Sequence, residues 1–245
     1  MSTPDQQAGF DQQRDVVDPG AAHARDDAVG QAHAAGPHAA HADATTNGES
    51  LFGGTDLAGL KARWDDVQAA FVDDPKAADK RLAELAREGV VAADVESDGL
   101  HAHRAKACLV TIASPARVVV FDTLAMPAGV LAALLGDAGP VKIVHDVAFD
   151  ARLLVDAEAP LGNVHDTSIC AAMLGRTKLG LANLLEAELG VKVDKGLQHK
   201  DWRVRPLDGK DLGYLEGDVK HLFALHGKLW READAAGIVW EVLCE

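Results

Sequence analysis

The spacing of apolar residues divides most of the chain into alternating strands and helices. Short runs rich in β-branched residues predict strands at Val90–Glu96, Cys108–Ser114, Ala116–Thr123, Val141–Val147 and Asn163–Thr167. Helical spacing predicts helices at Leu57–Phe71, Lys76–Glu88, Met126–Gly136, Ala148–Ala157, Ser168–Gly175, Leu181–Gly190 and Leu207–Ala236. The short link around Pro115 favours antiparallel pairing of the strands that it joins. This order predicts an α/β fold, in which an antiparallel meander and parallel strands form a mixed sheet flanked by helices.

The first fifty residues have a different character. They are rich in Ala, Gly, Gln, Asp and His and hold almost no large apolar residues apart from Phe10. Such a segment cannot bury enough apolar surface to offset the entropy that ordering costs. We therefore expect residues 1–50 to form a disordered tail and residues 51–245 to form one folded domain. The tail holds four histidines, which could bind metal as a His-rich tract, but a solvated tail is the favoured interpretation.

Charge and cysteine usage narrow the functional classes. The formal net charge is −14, which argues against broad non-specific binding to nucleic acid. The tail holds two arginines against eight acids, a net charge of −6, which leaves −8 on residues 51–245.

The three cysteines form no CxxC pair and predict reduced thiols in a cytoplasmic protein. We expect no signal peptide and no membrane span, because the N-terminus is polar and Asp122 and Pro127 interrupt the longest apolar stretch.

A set of acids ending on the only tyrosine is the strongest chemical signal. Asp94 and Glu96 stand two apart on a predicted strand, so both point to the same face. Asp150 lies in the helix after the fourth predicted strand. Tyr214 and Asp218 are four apart on a predicted helix and share a face. We predict that these side chains converge.

Four converging carboxylates would favour a reaction at phosphate. Hard divalent cations prefer oxygen ligands, and two such cations can activate water and stabilise the leaving oxygen of a phosphodiester. A nearby phenol can orient the attacking water. Each signal alone is weak, since the chain has 38 acids and an isolated DxE is usually a solvated face or a cap. The prediction depends on the ordered set.

Three segments in order resemble the motifs of the DEDD 3′–5′ exonucleases. They are VVAADVES, KIVHDVAFDARLL and YLEGD, the last typical of the tyrosine-containing DEDDy branch. Connecting segments such as LANLLEAELGVKVDK and QHKDWRVRPL are similar to those of ribonuclease D, and the resemblance covers about Val90–Leu225. It implies an RNase H-like fold, two divalent metal ions (Mg²⁺ or Mn²⁺) and stepwise release of nucleoside 5′-monophosphates from a 3′ end, with RNA favoured. It also implies that Tyr214 positions water and that four acids bind metal, namely Asp94, Glu96, Asp150 and Asp218.

Contacts to the nucleic acid are predicted around a basic stretch and beside the first motif. Ser97 stands where many relatives carry a bulky apolar residue near the terminal nucleotide. The stretch Lys192–Lys210 offers four candidates for phosphate contact, Lys195, Lys200, Arg203 and Arg205. The alternative is a basic surface loop that Trp202 tethers to the core. We interpret Trp202 as a core anchor rather than a base-stacking platform.

Several alternatives stay open. The substrate could be DNA, because no motif selects the 2′-hydroxyl, or the fold could be a catalytically silent nucleic-acid-binding module. Two HD dipeptides, at His145 and His165, resemble metal phosphohydrolase motifs. We expect His145 to be scaffolding and Asp166 to cap the helix that follows. We expect the HxH pair, His101 and His103, to be solvent-exposed. No GxSxG, Walker loop or GxGxxG occurs, which argues against acyl transfer, P-loop NTPase and dinucleotide-binding functions.

Overall fold

A computed structural model describes residues 69–193 and 196–244 and shows a six-stranded mixed sheet. Its strands are β1 Ala69–Val72, β2 Val90–Ser97, β3 Ala107–Ser114, β4 Arg117–Asp122, β5 Val141–Val144 and β6 Val164–Asp166. Their order in the sheet is β1-β4-β3-β2-β5-β6. Strands β2, β3 and β4 form an antiparallel meander, while β1, β5 and β6 add to its edges in parallel pairs. The predicted antiparallel pairing across Pro115 is confirmed.

Helices cover both faces of this sheet. They are α1 Pro75–Leu85, α2 Ala132–Leu135, α3 Val147–Asp156, α4 Thr167–Met173, α5 Leu181–Leu189, α6 Gly209–Lys220, α7 Leu222–Ala236 and α8 Val239–Cys244. Several begin at a side-chain cap, as at α1, where the Asp74 carboxylate accepts a hydrogen bond from the backbone N–H of Ala77. Among residues 69–193 and 196–244, no helix combines the length and apolar character that crossing a bilayer requires.

Strand β2 separates two apolar layers, and its residue parity decides where the acids point. Val91 and Val95 pack with Leu153 and Leu154 of α3 on one face. Val90 and Ala92 pack on the other face with α6 and α7, through Val219, Leu222 and Phe223. Because side chains alternate along a strand, Asp94 and Glu96 lie on the face of Ala92, toward α6.

Three sequence predictions differ from the structure. The predicted helix Leu57–Phe71 is wrong where it can be checked, because Ala69–Phe71 belongs to β1 and pairs with β4; the rest lies outside the described residues. The predicted helix Met126–Gly136 is a 3₁₀ turn, Ala128–Leu131, followed by the short α2. The predicted helix Leu207–Ala236 is two helices that meet at His221, whose backbone N–H bonds to the Val219 carbonyl. The proposed tail, residues 1–50, also lies outside the described residues.

Candidate active site

The end of strand β2 carries the first two acids of the site. Asp94 and Glu96 are partly buried on the same face of the strand. The β2–β3 pairing shifts register between Glu96 and Ser97, immediately after the second acid. Such irregularities end regular pairing and re-aim side chains near functional sites. The strand thus delivers two carboxylates at the point where it leaves the sheet.

Helix α6 brings the tyrosine and a third acid to this strand end. Its buried Leu215 and Val219 hold it against the sheet. Tyr214 and Asp218 share a face one turn apart, and the phenol lies beside the Asp218 carboxylate. One carboxylate oxygen from each of Asp94, Glu96 and Asp218 lies within 4.8 Å of the other two. The structure therefore brings together residues that are more than a hundred positions apart.

The fourth acid comes from α3 on the opposite layer. Asp150 lies in the first turn of α3 and is 8% exposed. The backbone N–H of Val95, the residue between the two β2 acids, and the charge of Asp94 both act on its carboxylate. Asp150 therefore lies beside the three-carboxylate cluster. All five residues predicted as catalytic therefore lie in one region.

Burial and mutual repulsion disfavour the ionised forms of these groups. Burial, followed by the charge of Asp94, raises the pKa of Glu96, Asp150 and Asp218, and burial alone raises that of Asp94. Burial also raises the pKa of the Tyr214 phenol. A cluster of carboxylates that resists ionisation is a strong binding site for a compensating cation. Its all-oxygen donor set fits a hard divalent ion such as Mg²⁺ or Mn²⁺.

Trp202 and Arg205 anchor the basic loop that precedes α6. Trp202 is 2% exposed, and its indole N–H donates to the Glu96 carboxylate. The Arg205 guanidinium binds Asp122 through two nitrogens, at 2.5 and 2.8 Å. Its other donors reach the carbonyls of Trp202, Val204 and Cys108. Since a guanidinium has five N–H donors, all of them have partners within the protein. The prediction that Trp202 is a core anchor agrees with this burial.

The other predicted nucleic-acid contacts differ in their surroundings. The ammonium group of Lys200 lies 2.6 Å from Asp211 and 5.7 Å from the Trp202 ring centroid. Arg203 is exposed and pairs with Asp201. The hydroxyl of Ser97 accepts a hydrogen bond from the Gly99 N–H. Lys195 lies outside the described residues. Phosphate binding by Ser97, Lys200, Arg203 and Arg205 stays a prediction, and Arg205 would have to exchange an internal bond to take part.

Two cavities border the acid cluster. The larger, of about 890 Å³, is lined by Glu96, Ser97 and Lys200 together with the exposed apolar side chains of Leu100 and Phe149. The smaller, of about 360 Å³, is lined by Tyr214, Asp218 and other residues of α6, and also by Lys192, Val193 and Leu197 from the segment before that helix. Sequence reasoning missed Leu100 and Phe149. The sequence signal for them was their position. Leu100 is an apolar residue four positions after Glu96, and Phe149 is an aromatic residue directly before Asp150.

The HD dipeptides have structural roles. Asp166 is 7% exposed and caps α4 by accepting hydrogen bonds from the N–H groups of Ser168 and Ile169. It also accepts from the N–H groups of Asp146 and Val147, at the start of α3. This confirms the predicted cap and adds a second helix to it. His145 bonds to the Thr167 hydroxyl, and His101 and His103 are exposed as expected.

Comparison with known proteins agrees with this geometry. Residues 69–234 match the family model of a 3′–5′ exonuclease domain. An exosome complex component 10 homolog of Drosophila melanogaster is 31% identical over 173 residues, which cover 69% of this chain and 19% of that protein. Ribonuclease D of Sphingobium indicum is 28% identical over 172 residues, which cover 68% and 44%.

A solved structure supports the same relationship. Escherichia coli RNase D, described as an exoribonuclease involved in structured RNA processing, superposes with a TM-score of 0.67 at 25% identity and covers 71% of this chain and 48% of that one. The chain thus spans less than half the length of each of these three relatives. The predicted resemblance to ribonuclease D and the predicted RNase H-like mixed sheet are confirmed.

Proposed function

This chain belongs to the 3′–5′ exonuclease domain family, and on that premise we propose that it hydrolyses phosphodiester bonds from the 3′ end of RNA and releases nucleoside 5′-monophosphates. The observation that carries the proposal is the convergence of the Asp94, Glu96 and Asp218 carboxylates within 4.8 Å, with Asp150 and Tyr214 beside them. The names of the relatives, an exosome component and ribonuclease D, favour RNA over DNA.

Two divalent cations, Mg²⁺ or Mn²⁺, are the proposed cofactors. Asp94, Glu96 and Asp218 would hold one, and Asp150 would share in holding the second. When bound, such cations lower the pKa of water and stabilise charge on the leaving oxygen. The raised pKa values of the four acids support this assignment, because a cation offsets the repulsion that burial intensifies.

The protein's own groups would position the reactants. The Tyr214 phenol, which lies beside Asp218, would donate a hydrogen bond that orients the attacking water. Trp202 fixes the Glu96 carboxylate through its indole N–H. The larger cavity beside Glu96 has both polar and apolar walls, which suits a 3′-terminal nucleoside with its flat base against Leu100 or Phe149.

Digestion of a 5′-labelled single-stranded RNA with Mg²⁺ or Mn²⁺ tests the proposal. We expect a ladder of products shortened by one nucleotide at a time, which chelator abolishes. A circular RNA of the same sequence should resist, because it has no 3′ end. The same sequence as DNA measures the preference between the two substrates. Binding without cleavage would instead support a silent nucleic-acid-binding module.

Asp94→Ala provides the matched test of the site. It should abolish turnover and leave the fold intact, because it removes a proposed metal ligand and no core packing. Asp79→Ala on α1 is the control, since Asp79 is an exposed acid on another element and lines neither cavity. Near-normal rates in Asp94→Ala would refute the assignment.

A further inference from the structure

Helix α6 carries two interior glycines that the fold itself does not require. Gly213 and Gly217 stand four apart in the middle of α6, where glycine is less favourable than alanine. A Cβ added to either would meet no atom of residues 69–193 and 196–244 within 4 Å, and neither has the positive φ that favours glycine. Packing and backbone conformation therefore leave both positions free for a larger residue. Their effect is to keep one stretch of the helix surface open.

That open surface lines the smaller cavity, together with three lysines. We call it the α6 groove and define it by Gly213, Gly217, Lys192, Lys210 and Lys220. Lys210 is exposed, and the ion pairs of the other two are long, at 3.5 Å from Lys192 to Glu186 and 3.4 Å from Lys220 to Glu216. The Lys192–Glu186 pair is solvent-exposed and the Lys220–Glu216 pair is half-buried. Pairs this long contribute little, so these ammonium groups can turn to another anion.

The position of the groove relative to the acids indicates its ligand. Tyr214 and Asp218 line the groove, while Glu96 lines the larger cavity, so the acid cluster lies between the two. The larger cavity offers apolar contacts that suit a nucleoside; the groove offers ammonium groups and bare helix backbone. The chain carries a net charge of −14, so a polyanionic strand needs a local basic surface to approach the cluster.

We propose that the α6 groove binds the backbone phosphates on the 5′ side of the scissile bond while the 3′-terminal nucleoside occupies the larger cavity. This rests on the proposed exonuclease activity and adds a site to it. The lysines neutralise the phosphates, and the two glycines let the sugar–phosphate backbone lie close to the helix. Phosphate contacts of this kind set the position of the strand without selecting its sequence.

The test compares substrates with and without upstream phosphates. A dinucleoside monophosphate has only the scissile phosphate; a longer single-stranded RNA also has upstream ones. Lys210→Glu should lower kcat/KM on the longer RNA about tenfold and leave the dinucleoside rate unchanged. It should also reduce the slope of log binding constant against log salt by about 0.7, the amount for one phosphate contact on a single strand. Lys76→Glu is the charge-matched control, since Lys76 is an exposed residue of α1 outside the groove.

Substituting a groove glycine should change stability and RNA binding in opposite directions. Gly213→Leu should raise the melting temperature by roughly 2 °C, because leucine favours the helix, and still weaken binding of the longer RNA. Gly209→Leu is the control, since Gly209 lies in the first turn of α6, outside the groove, and also has open space at Cβ. A Gly213→Leu variant that binds the longer RNA as the wild type does would refute a close backbone approach.

The outcomes separate this site from the activity on which it rests. If the wild type hydrolyses both substrates and Lys210→Glu affects neither, or both equally, the groove proposal is wrong and the exonuclease stands. If the wild type hydrolyses neither substrate, binding of a labelled RNA decides. Weaker binding by Lys210→Glu than by Lys76→Glu keeps the groove as a binding site and rejects the exonuclease, and equal binding rejects both.

Discussion

Glu96→Gln should stabilise the metal-free protein while removing its activity. Burial and the charges of Asp94, Asp218 and Asp150 raise the pKa of Glu96 to about 10, from an ordinary 4.5. An acid whose pKa rises on folding destabilises the fold at every pH above its unfolded pKa, because folding must then bind a proton. At pH 7 this costs up to 1.36 kcal/mol for each of the roughly 2.5 pH units above 4.5, about 3 kcal/mol. Glutamine carries no such cost and can still accept the Trp202 hydrogen bond.

Melting curves across pH, in chelator and in Mg²⁺ or Mn²⁺, measure this effect. In chelator at pH 7 the variant should melt about 6 to 12 °C above the wild type, and the two should converge as the pH falls toward 4.5. Added metal should raise the melting temperature of the wild type more than that of the variant, since ligand binding stabilises only a competent site. A variant that melts below the wild type in chelator at pH 7 would refute the repulsion argument, because Glu96 would then stabilise the fold.

Three further perturbations address the phenol, the buried histidine and the loop anchor. Tyr214→Phe should slow hydrolysis about a hundredfold with metal affinity unchanged, and lost affinity with normal turnover at saturating metal would contradict its proposed role. His226 is 2% exposed, and burial lowers its pKa to about 3. The free energy of unfolding should therefore decrease as the pH drops below 6.5, by about 2 kcal/mol at pH 5. Urea midpoints would show this, and His226→Leu with the same pH slope would refute it. Arg205→Ala should cost about 3 to 5 kcal/mol in thermal unfolding, because it leaves the buried Asp122 carboxylate unpaired, and a loss below about 1 kcal/mol would contradict the anchor.

Much of the sheet and the convergence of the acids could be predicted because the signals are local. The β-branched runs and the two-residue spacing of Asp94 and Glu96 specify strand β2 and the shared face of the two acids. The four-residue spacing of Tyr214 and Asp218 specifies a helical face in the same way. Local patterns could not show that the two faces lie opposite each other, because they are more than a hundred positions apart in sequence. That prediction depended on the order of the motifs, which resembles ribonuclease D.

The failures arise where tertiary contacts override local propensity. Ala69–Val72 has the composition of a helix end and becomes a strand because it adds to the free edge of β4. Arg205 looks like a phosphate ligand in sequence, yet its five donors are taken by groups from β3, β4 and its own loop. The exposed Leu100 and Phe149 were missed because exposure is a property of the folded surface and not of the residue type.

The carboxylate of Asp166 fastens the first turns of two neighbouring helices with four backbone hydrogen bonds. One of those helices is α3, which presents Asp150 to the other acids. Loosening it would displace an acid that Asp166 does not touch. A mutational scan that records only loss of activity would therefore group Asp166 with the proposed metal ligands. Measuring the cation affinity of each inactive variant would distinguish a missing ligand from a misplaced one.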